Sequence, residues 1–570
     1  MKKVLLLICV LCFATSASFA QPKFASKVGK GIVSLNTYDR QGNLLRQGIA
    51  FYVGEKGEAI ADYRFFKNAY QASVIDFSGK QADVNLILGA DDSYSLVRFQ
   101  ISTKGNTVLP IVSSIQPMKS TVFVLKLTGN GTMESIQATV VDTAMIQGKY
   151  AYYTLDQQVD ESFVGAPVFN ASGALLGILH AQIAGKSHVL DIRFREELKV
   201  TAFSNSSATV ALNNIYIPKA LPDTPEEALV YLYAKSRSAG NEEYMDMVNR
   251  FIIAYPNNAE GYLRRATPLI DLTRFDEADR DMQHYLSLVG DKATGNYNVA
   301  SLIFDKLRLQ PEPAYEKWNE DVAIQYVEKA LTLNASISDE SERKTTETKC
   351  QILKAQLLMN KKDYDGALAI YEILNSRSGG APSYLYAISV AREGRGDSIS
   401  SVIEPIDSAL AMFGNPLPNE ASSYVIRRGQ LYANAEKYRE AVQDYNQYAY
   451  LMSNQVSPVF YYERSQIELN ARMYQPALED LDQAILMAPD EPLYHVARAT
   501  LTVRVSLYDE CITSCQNALR LNPNIIDVYR ILGYAQFQKG DKNAARLNLQ
   551  KAIDMGDETA SKVMDTLFAK

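Results

Sequence analysis

Side chains able to carry covalent or metal chemistry are few and scattered along these 570 residues. The histidines are His180, His188, His284 and His495, and no cysteine lies between positions 21 and 349. A thiol nucleophile is therefore absent from the N-terminal third. His180 and His188 fall on or beside strand-like runs, where a histidine is ordinarily a surface or hydrogen-bonded structural residue. Ser162 with Lys67 could in principle form a serine–lysine dyad, but nothing around either residue supports it. Cys511 and Cys515 stand four apart, a spacing that would let a helix offer both thiolates to one metal ion. The repeat described below instead places them inside helix packing, as small buried hydrophobes. His284 and His495 stand alone on helices, with no H-E-x-x-H or H-x-x-E-H pattern. No G-x-x-x-x-G-K-[ST] occurs and no G-x-G-x-x-G opens a helix. These observations predict no metal, no nucleotide and no other cofactor.

Four N-terminal segments carry more information than any single reactive residue. They are Gly48-Ile49-Ala50-Phe51-Tyr52-Val53, Ala61-Asp62-Tyr63-Arg64-Phe65-Phe66, the stretch from Ala90 to Val97, and Val164-Gly165-Ala166-Pro167-Val168-Phe169-Asn170-Ala171-Ser172-Gly173 with Leu176-Gly177-Ile178 after it. In order and spacing they resemble the trypsin-like serine proteases of chymotrypsin fold, in their bacterial Deg branch. The resemblance covers residues 24–200, within a domain expected over 21–202. It implies a double β-barrel with a cleft between the barrels, and it places the family's base, acid and nucleophile at Arg64, Ser95 and Val164.

None of those three residues can do the inherited work. A Ser–His–Asp triad needs a hydroxyl to attack, an imidazole to take its proton and a carboxylate to orient that imidazole. Val164 offers no nucleophilic atom, Arg64 is always protonated, and Ser95 carries no charge. Losing one member costs about 10⁴–10⁶ in turnover, and further losses add little because the residues act together. Glu161-Ser162-Phe163 replaces the small residues of the turn that supplies oxyanion donors, with a bulky ring where amides should face substrate. The sequence therefore predicts a catalytically inactive domain, with Val164 and Phe163 packing the former cleft. Arg64 is expected to be solvated or paired with Asp62, Asp91 or Asp92.

The elements that must hold these residues are short strands. Runs over 31–38, 48–53, 72–77, 95–101, 121–127, 151–155, 174–178 and 187–192 are separated by Gly, Asn and Asp turns. Such a pattern with almost no helical period reads as an all-β barrel or sandwich. Residues 203–224, polar and then proline-bearing, read as a linker or closing segment.

From 225 to 570 the sequence changes to Ala, Leu, Tyr and Glu at helical spacing. Pro489 and Pro523 lie 34 apart, and Tyr474-x-x-Ala477, Tyr508-x-x-Cys511 and Lys542-x-x-Ala545 recur at the same step, as do Ala484, Ala518 and Ala552. Tyr438-x-x-Ala441, Tyr364-x-x-Ala367 and Phe275-x-x-Ala278 extend the pattern upstream. This period and these small residues resemble the tetratricopeptide repeat. The resemblance implies about nine helix pairs, starting near 225, 259, 293, 348, 382, 422, 458, 492 and 526. Because one pair cannot bury its apolar face alone, the array is expected to stack as a solenoid. The 35 tyrosines, against the single Trp318, are read mostly as packing.

In that family the first helix of each pair lines a concave peptide-holding groove. Carried onto this chain, the groove would include Ile426, Gln430 and Asn434, then Tyr462, Gln466 and Asn470, then Val496, Thr500 and Arg504, then Arg530, Tyr534 and Gln538. Amide, guanidinium and aromatic groups of this kind suit an extended peptide; the competing expectation is plain solvated helix surface.

Charge and the N-terminus bound the setting. A net charge of −7 without a Lys/Arg run argues against nucleic acid. Lys2 and Lys3, the apolar stretch to Phe13 and Ser18-Phe19-Ala20 read as a secretory signal over residues 1–20, with Gln21 first in the mature chain. No later apolar run is long enough for a membrane span. The combined expectation is an exported, periplasmic or envelope-associated scaffold, or a secreted one, that binds proteins or peptides. Two alternatives stand beside it: a divergent serine-type peptidase with repeat-mediated substrate recruitment, and a purely structural assembly part. The partner, the pathway and the oligomeric state are not encoded in any readable motif.

Overall fold

A computed structural model describes residues 21–128, 131–202 and 206–569. The signal expected at 1–20 lies outside them. Two compact units divide the chain, one ending at Gly290 and the other beginning at Asp291.

In the first unit a helical turn, α1 (Ala25–Val28), leads into β1 (Ile32–Tyr38), β2 (Leu44–Tyr52), β3 (Glu58–Asp62), a short helix α2 (Tyr63–Phe66), β4 (Gln71–Ile75), β5 (Gln81–Asp91) and β6 (Leu96–Ile101). These strands close as an antiparallel barrel in the order β1-β2-β3-β6-β5-β4. The strands β7 (Thr121–Leu127), β8 (Met133–Ile146), β9 (Tyr150–Leu155), β10 (Pro167–Asn170), β11 (Leu175–Leu179) and β12 (His188–Asp191) close a second barrel, β10-β11-β12-β9-β8-β7. Closure leaves no free edge in either sheet. Alternation does the sorting in β1, where Val33, Leu35 and Thr37 point inward between partly exposed neighbours. In β11 all of Leu-Leu-Gly-Ile-Leu is buried, so the run is continuously apolar.

All eight strand runs read from the sequence are present, and four more join them. The missed β3 is Ala-rich, β8 is largely half-exposed, β5 begins polar and is interrupted by bulges, and β10 opens on a proline. None of these four carries a clean period of two.

Residues 206–217 pack onto the first barrel. Within them α3 (Ser206–Asn213) buries Ala211 and Leu212, and Ile215 and Ile217 follow, in the same apolar cluster as Val33, Val97 and Phe99 of the first barrel. Two further helices, α4 (Pro225–Lys235) and α5 (Asn241–Ala254), add Leu232, Val248 and Phe251 to that cluster. After them come α6 (Ala259–Asp271) and α7 (Phe275–Leu288).

The second unit is entirely helical. Its hairpins are α8 (Lys292–Leu309) with α9 (Glu320–Asn334), α10 (Glu340–Asn360) with α11 (Tyr364–Arg377), α12 (Pro382–Arg395) with α13 (Ile399–Phe413), and α14 (Ser422–Asn434) with α15 (Tyr438–Leu451). They continue as α16 (Pro458–Asn470) with α17 (Tyr474–Met487), α18 (Pro492–Arg504) with α19 (Tyr508–Leu521), and α20 (Ile526–Gln538) with α21 (Lys542–Asp554), ending on a single α22 (Glu558–Phe568). The chain thus follows its double barrel with nine helix pairs among the described residues, two of them in the first unit. One start differs from expectation: α10 begins at Glu340, not near 348. Asp339 caps it by accepting the Glu342 N–H at 2.8 Å, and its first two turns are too polar to show a period.

Small residues let the paired helices approach: Ala441, Ala477, Cys511 and Ala545 are all fully buried, as are Ala484, Ala518 and Ala552. A second device is ionic. Arg265, Arg428 and Arg464 each grip, with two nitrogens, an aspartate sixteen residues on, at Asp281, Asp444 and Asp480, over 2.7–2.9 Å. In the next pair Arg498 meets Ser514 at that spacing and turns to Asp482 and Glu510 instead. Among the described residues no helix is long and apolar enough to cross a membrane.

Candidate functional site

Asp62 ends β3 and caps α2, and its carboxylate organises the first half of the inter-barrel cleft. Its Oδ1 accepts from the Arg64 N–H, from Arg64 Nε and from Ser95 Oγ, each at 2.9 Å, while Oδ2 accepts from Arg64 Nη2 at 2.8 Å. Of the three carboxylates open to Arg64, the guanidinium has taken Asp62. The pairing is bidentate and raises the already high arginine pKa, chiefly through the Asp62 hydrogen bonds. Asp62 is 1 % exposed while half of the Arg64 side chain faces solvent, so the arginine lids a buried charge. Ser95 holds a left-handed backbone, φ +50°, and its carbonyl accepts the Tyr63 N–H at 3.0 Å. A non-glycine residue there is uncommon; two bonds to the Asp62–Tyr63 corner hold it. Two of the three family positions therefore meet on one acid that the family pattern does not assign.

The third position lies in the second barrel, after a 3-10 turn at Glu161–Phe163. Val164 is 7 % exposed and Phe163 is similarly buried, the latter in the second barrel's apolar cluster with Val124 and Val168. Gly165, at φ +87°, lets the chain pass Phe65: a Cβ there would stand 3.0 Å from that ring, and one on Gly48 would stand 2.5 Å from it.

The amides from Ser162 to Ala166 have no spare donor. Ser162 N–H bonds Asp160 Oδ1 at 2.9 Å, and Phe163 N–H bonds the Asp160 carbonyl at 2.9 Å. Val164 N–H bonds the Glu161 carbonyl at 3.0 Å, Gly165 N–H that of Leu179 at 2.8 Å, and Ala166 N–H that of Phe163 at 2.8 Å. Five consecutive donors are spent inside the protein. An oxyanion hole requires such groups to point, unpaired, at the developing charge.

His180 follows β11 and comes within electrostatic reach of Asp62, Arg64 and His188. Its Nδ1 lies 3.3 Å from the Tyr152 hydroxyl, and its Nε2 is sealed with no partner. Burial pushes its pKa down to about 4, so the ring is neutral and a poor base near pH 7. His188 stacks on Tyr152 at 5.1 Å and has Nδ1 3.3 Å from Thr154 Oγ1. Ser162 is exposed, and no hydrogen bond joins its hydroxyl to Lys67. Cys511 and Cys515 are free and sit in an apolar cluster with Ala499, Ala518 and Val528. His495 is held by the Pro489 carbonyl at 2.9 Å, and His284 packs edge-on against Tyr262.

The groove candidates divide. Arg504, Arg530 and Tyr534 come together around one cavity of about 360 Å³, with Ser506, Tyr508 and Val563. Arg530 is already held by Asp557 at 2.7 Å and Asp527 at 2.6 Å, and Arg504 lies over the Tyr474 ring at 5.8 Å. Tyr462 packs on Tyr494, and Gln466 reaches the Ser465 hydroxyl at 3.2 Å. Thr500 bonds back to the Val496 carbonyl at 2.9 Å, and Asn470 and Gln538 are exposed. Sequence reasoning missed Glu468, which stands beside Arg464 and Asp480 with Oε2 sealed and unpartnered. Burial, then the neighbouring Asp480, pushes its pKa up to about 8. The spacing of sixteen between Arg and Asp was the visible signal for that cluster.

No protein-family model matches the chain. Two known proteins match parts of it. The small glutamine-rich tetratricopeptide repeat-containing protein 2 of Saccharomyces cerevisiae is 24% identical over 91 residues, 16% of this chain and 26% of that protein. A DnaJ protein P58IPK homolog of Arabidopsis thaliana is 26% identical over 126 residues, 22% of this chain and 24% of that protein. The chain thus spans about a quarter of the length of these relatives. Among solved structures, the serine endoprotease from Yersinia pestis aligns over 30% of this chain and 62% of its own, at 18% identity and a TM-score of 0.27.

Proposed function

We propose that the chain is an exported scaffold that binds proteins or peptides, built from a catalytically inactive trypsin-like domain and a tetratricopeptide-like array. The observation that carries the inactive reading is the turn before Val164: the nucleophile's place holds an aliphatic side chain, the N–H groups of residues 162–166 are all bonded within the protein, and the turn's one hydroxyl, Ser162, has no base bonded to it. The opposite wall supports it, because a guanidinium fills the place of a proton acceptor and neutralises the buried Asp62 beside it. The divergent-peptidase alternative has to work without either half of acyl-transfer chemistry.

For the helical region, binding is supported by the cavity between Arg504, Arg530 and Tyr534, where cationic and phenolic groups border a hydrophobic valine. Export rests on the pattern of residues 1–20 alone.

The test is joint. The purified full chain, incubated with unfolded casein, releases no new amino termini, and the mature protein recovered from the envelope fraction begins at Gln21. Sustained peptide release lost in Ser162→Ala would restore the peptidase. A mature chain that keeps Met1 would remove the export part.

A further inference from the structure

One cavity of the first unit lies away from the cleft. It measures about 770 Å³ and is bordered by Lys30, Tyr52, Phe77, Lys80 and Lys104. Strand register fixes its place in the barrel. Asp62 pairs with Leu96 at the cleft end, and Glu58 pairs with Gln100 at the other, where β6 runs into the loop carrying Lys104. The two pairs lie four residue steps apart, so at roughly 3.3 Å per residue the two ends are separated by about 13 Å.

Its chemistry is lopsided for a protein of net charge −7. Three lysines and one aspartate are the charged groups of its lining. Among the described residues none of the three lysines has a carboxylate within ion-pair distance; Lys30 lies 5.9 Å from the centre of the Phe77 ring. The aspartate, Asp76, is engaged in its own turn, accepting from Ser78 N–H at 2.8 Å, Ser78 Oγ at 2.6 Å and Lys80 N–H at 3.0 Å. That turn thrusts Phe77, 47 % exposed, and Lys80 outward. Tyr52, only 5 % exposed, also lines the cavity, and its hydroxyl makes no hydrogen bond among the described residues. That hydroxyl is not sealed from solvent, so it is free to bond a ligand.

We propose that this cavity docks an acidic peptide segment carrying an aromatic side chain. The lysines meet its carboxylates, Tyr52 supplies a hydrogen bond, and Phe77 packs against the ring. A phosphate group fits less well. Phosphate sites use arginine forks or a nest of free backbone amides, and here the N–H groups of Ser78, Gly79 and Lys80 all close onto Asp76. The proposal rests on the scaffold reading only in taking a polypeptide as ligand.

Fluorescence anisotropy on the full chain with a fluorescein-labelled glutamate/phenylalanine peptide tests it. Binding is expected to weaken at least about tenfold in the exposed triple variant Lys30→Gln, Lys80→Gln, Lys104→Gln, and with added salt. Tyr52→Phe, which keeps the ring and its packing, should weaken it about three- to tenfold. Arg504→Gln, in the helical cavity, should leave it unchanged. Equal affinity in the parent, the triple variant and Tyr52→Phe would overturn the proposal, as would no binding to the parent. Displacement by inorganic phosphate at lower concentration than by free glutamate would overturn the choice of ligand. Loss in Arg504→Gln alone would move the site to the helices and leave the scaffold reading standing.

Discussion

The cleft and the helical hairpins both contain a bidentate arginine–aspartate pair, and the two pairs do opposite things. In the hairpins, Arg464 and Asp480 come from different helices and are 15 % and 8 % exposed, so the bond joins elements. In the cleft, Arg64 and Asp62 are neighbours on one turn, and the bond joins nothing distant. It leaves the buried Asp62 carboxylate paired and satisfied at the surface of the cleft. The same chemistry staples a repeat in one region and neutralises a lone buried charge in the other. Sequence separation, not residue type, tells the two uses apart.

Breaking the staple gives the largest expected effect. Asp480→Ala strands a guanidinium in the packing and should cost about 4 kcal/mol. Hydrogen exchange would show it as lost protection across α16 and α17, with the barrels unaffected. Protection unchanged in those helices would mean the pair is ornamental.

Acidity sharpens the contrast, because the two regions respond with opposite sign. His180 has its folded pKa depressed to about 4 by burial, with Asp62, Arg64 and His188 around it. Between that value and the unfolded value of about 6.5 the unfolded chain binds more protons, so barrel stability falls as pH drops through that window, by on the order of 3 kcal/mol. Glu468 has its folded pKa raised to about 8 by burial, beside Asp480, Arg464 and Glu479. Its contribution is complete below the unfolded carboxylate value and is lost as pH rises through 8. Local unfolding followed from pH 4 to 8 should therefore strengthen the barrels and weaken α16–α17. His180→Gln should flatten the first trend and Glu468→Gln the second.

Arg64→Ala should act more mildly. Asp62 keeps the Ser95 hydroxyl and the backbone N–H, and the lost arginine is half exposed. A decrease of about 1–2 kcal/mol in denaturant unfolding of the barrels is expected. A gain in stability would mean that the buried carboxylate does not need its counter-charge.

Much of this was legible beforehand. Spacing placed nine helix pairs because Ala477, Cys511 and Ala545 must be small where helices touch, and packing makes that demand at every repeat. Two of the positions that the four motifs single out, Arg64 and Ser95, do meet in the structure, on Asp62. What stayed hidden depends on long-range meeting. Asp62 sits between Arg64 and Ser95 in space, yet only the fold brings Ser95 to it. Lys30, Lys80 and Lys104 form no run, and only barrel closure gathers them. Glu468 looked like one more solvated acid, because a helical period does not reveal which face is sealed.

The most direct measurement is intact mass after exposure of the full chain to a fluorophosphonate, run in parallel with Val164→Ser. With the amides of residues 162–166 paired internally, neither protein should gain an adduct, even where a serine hydroxyl has been returned to the nucleophile's place. A stoichiometric adduct on a cleft serine of the unaltered chain would contradict the account.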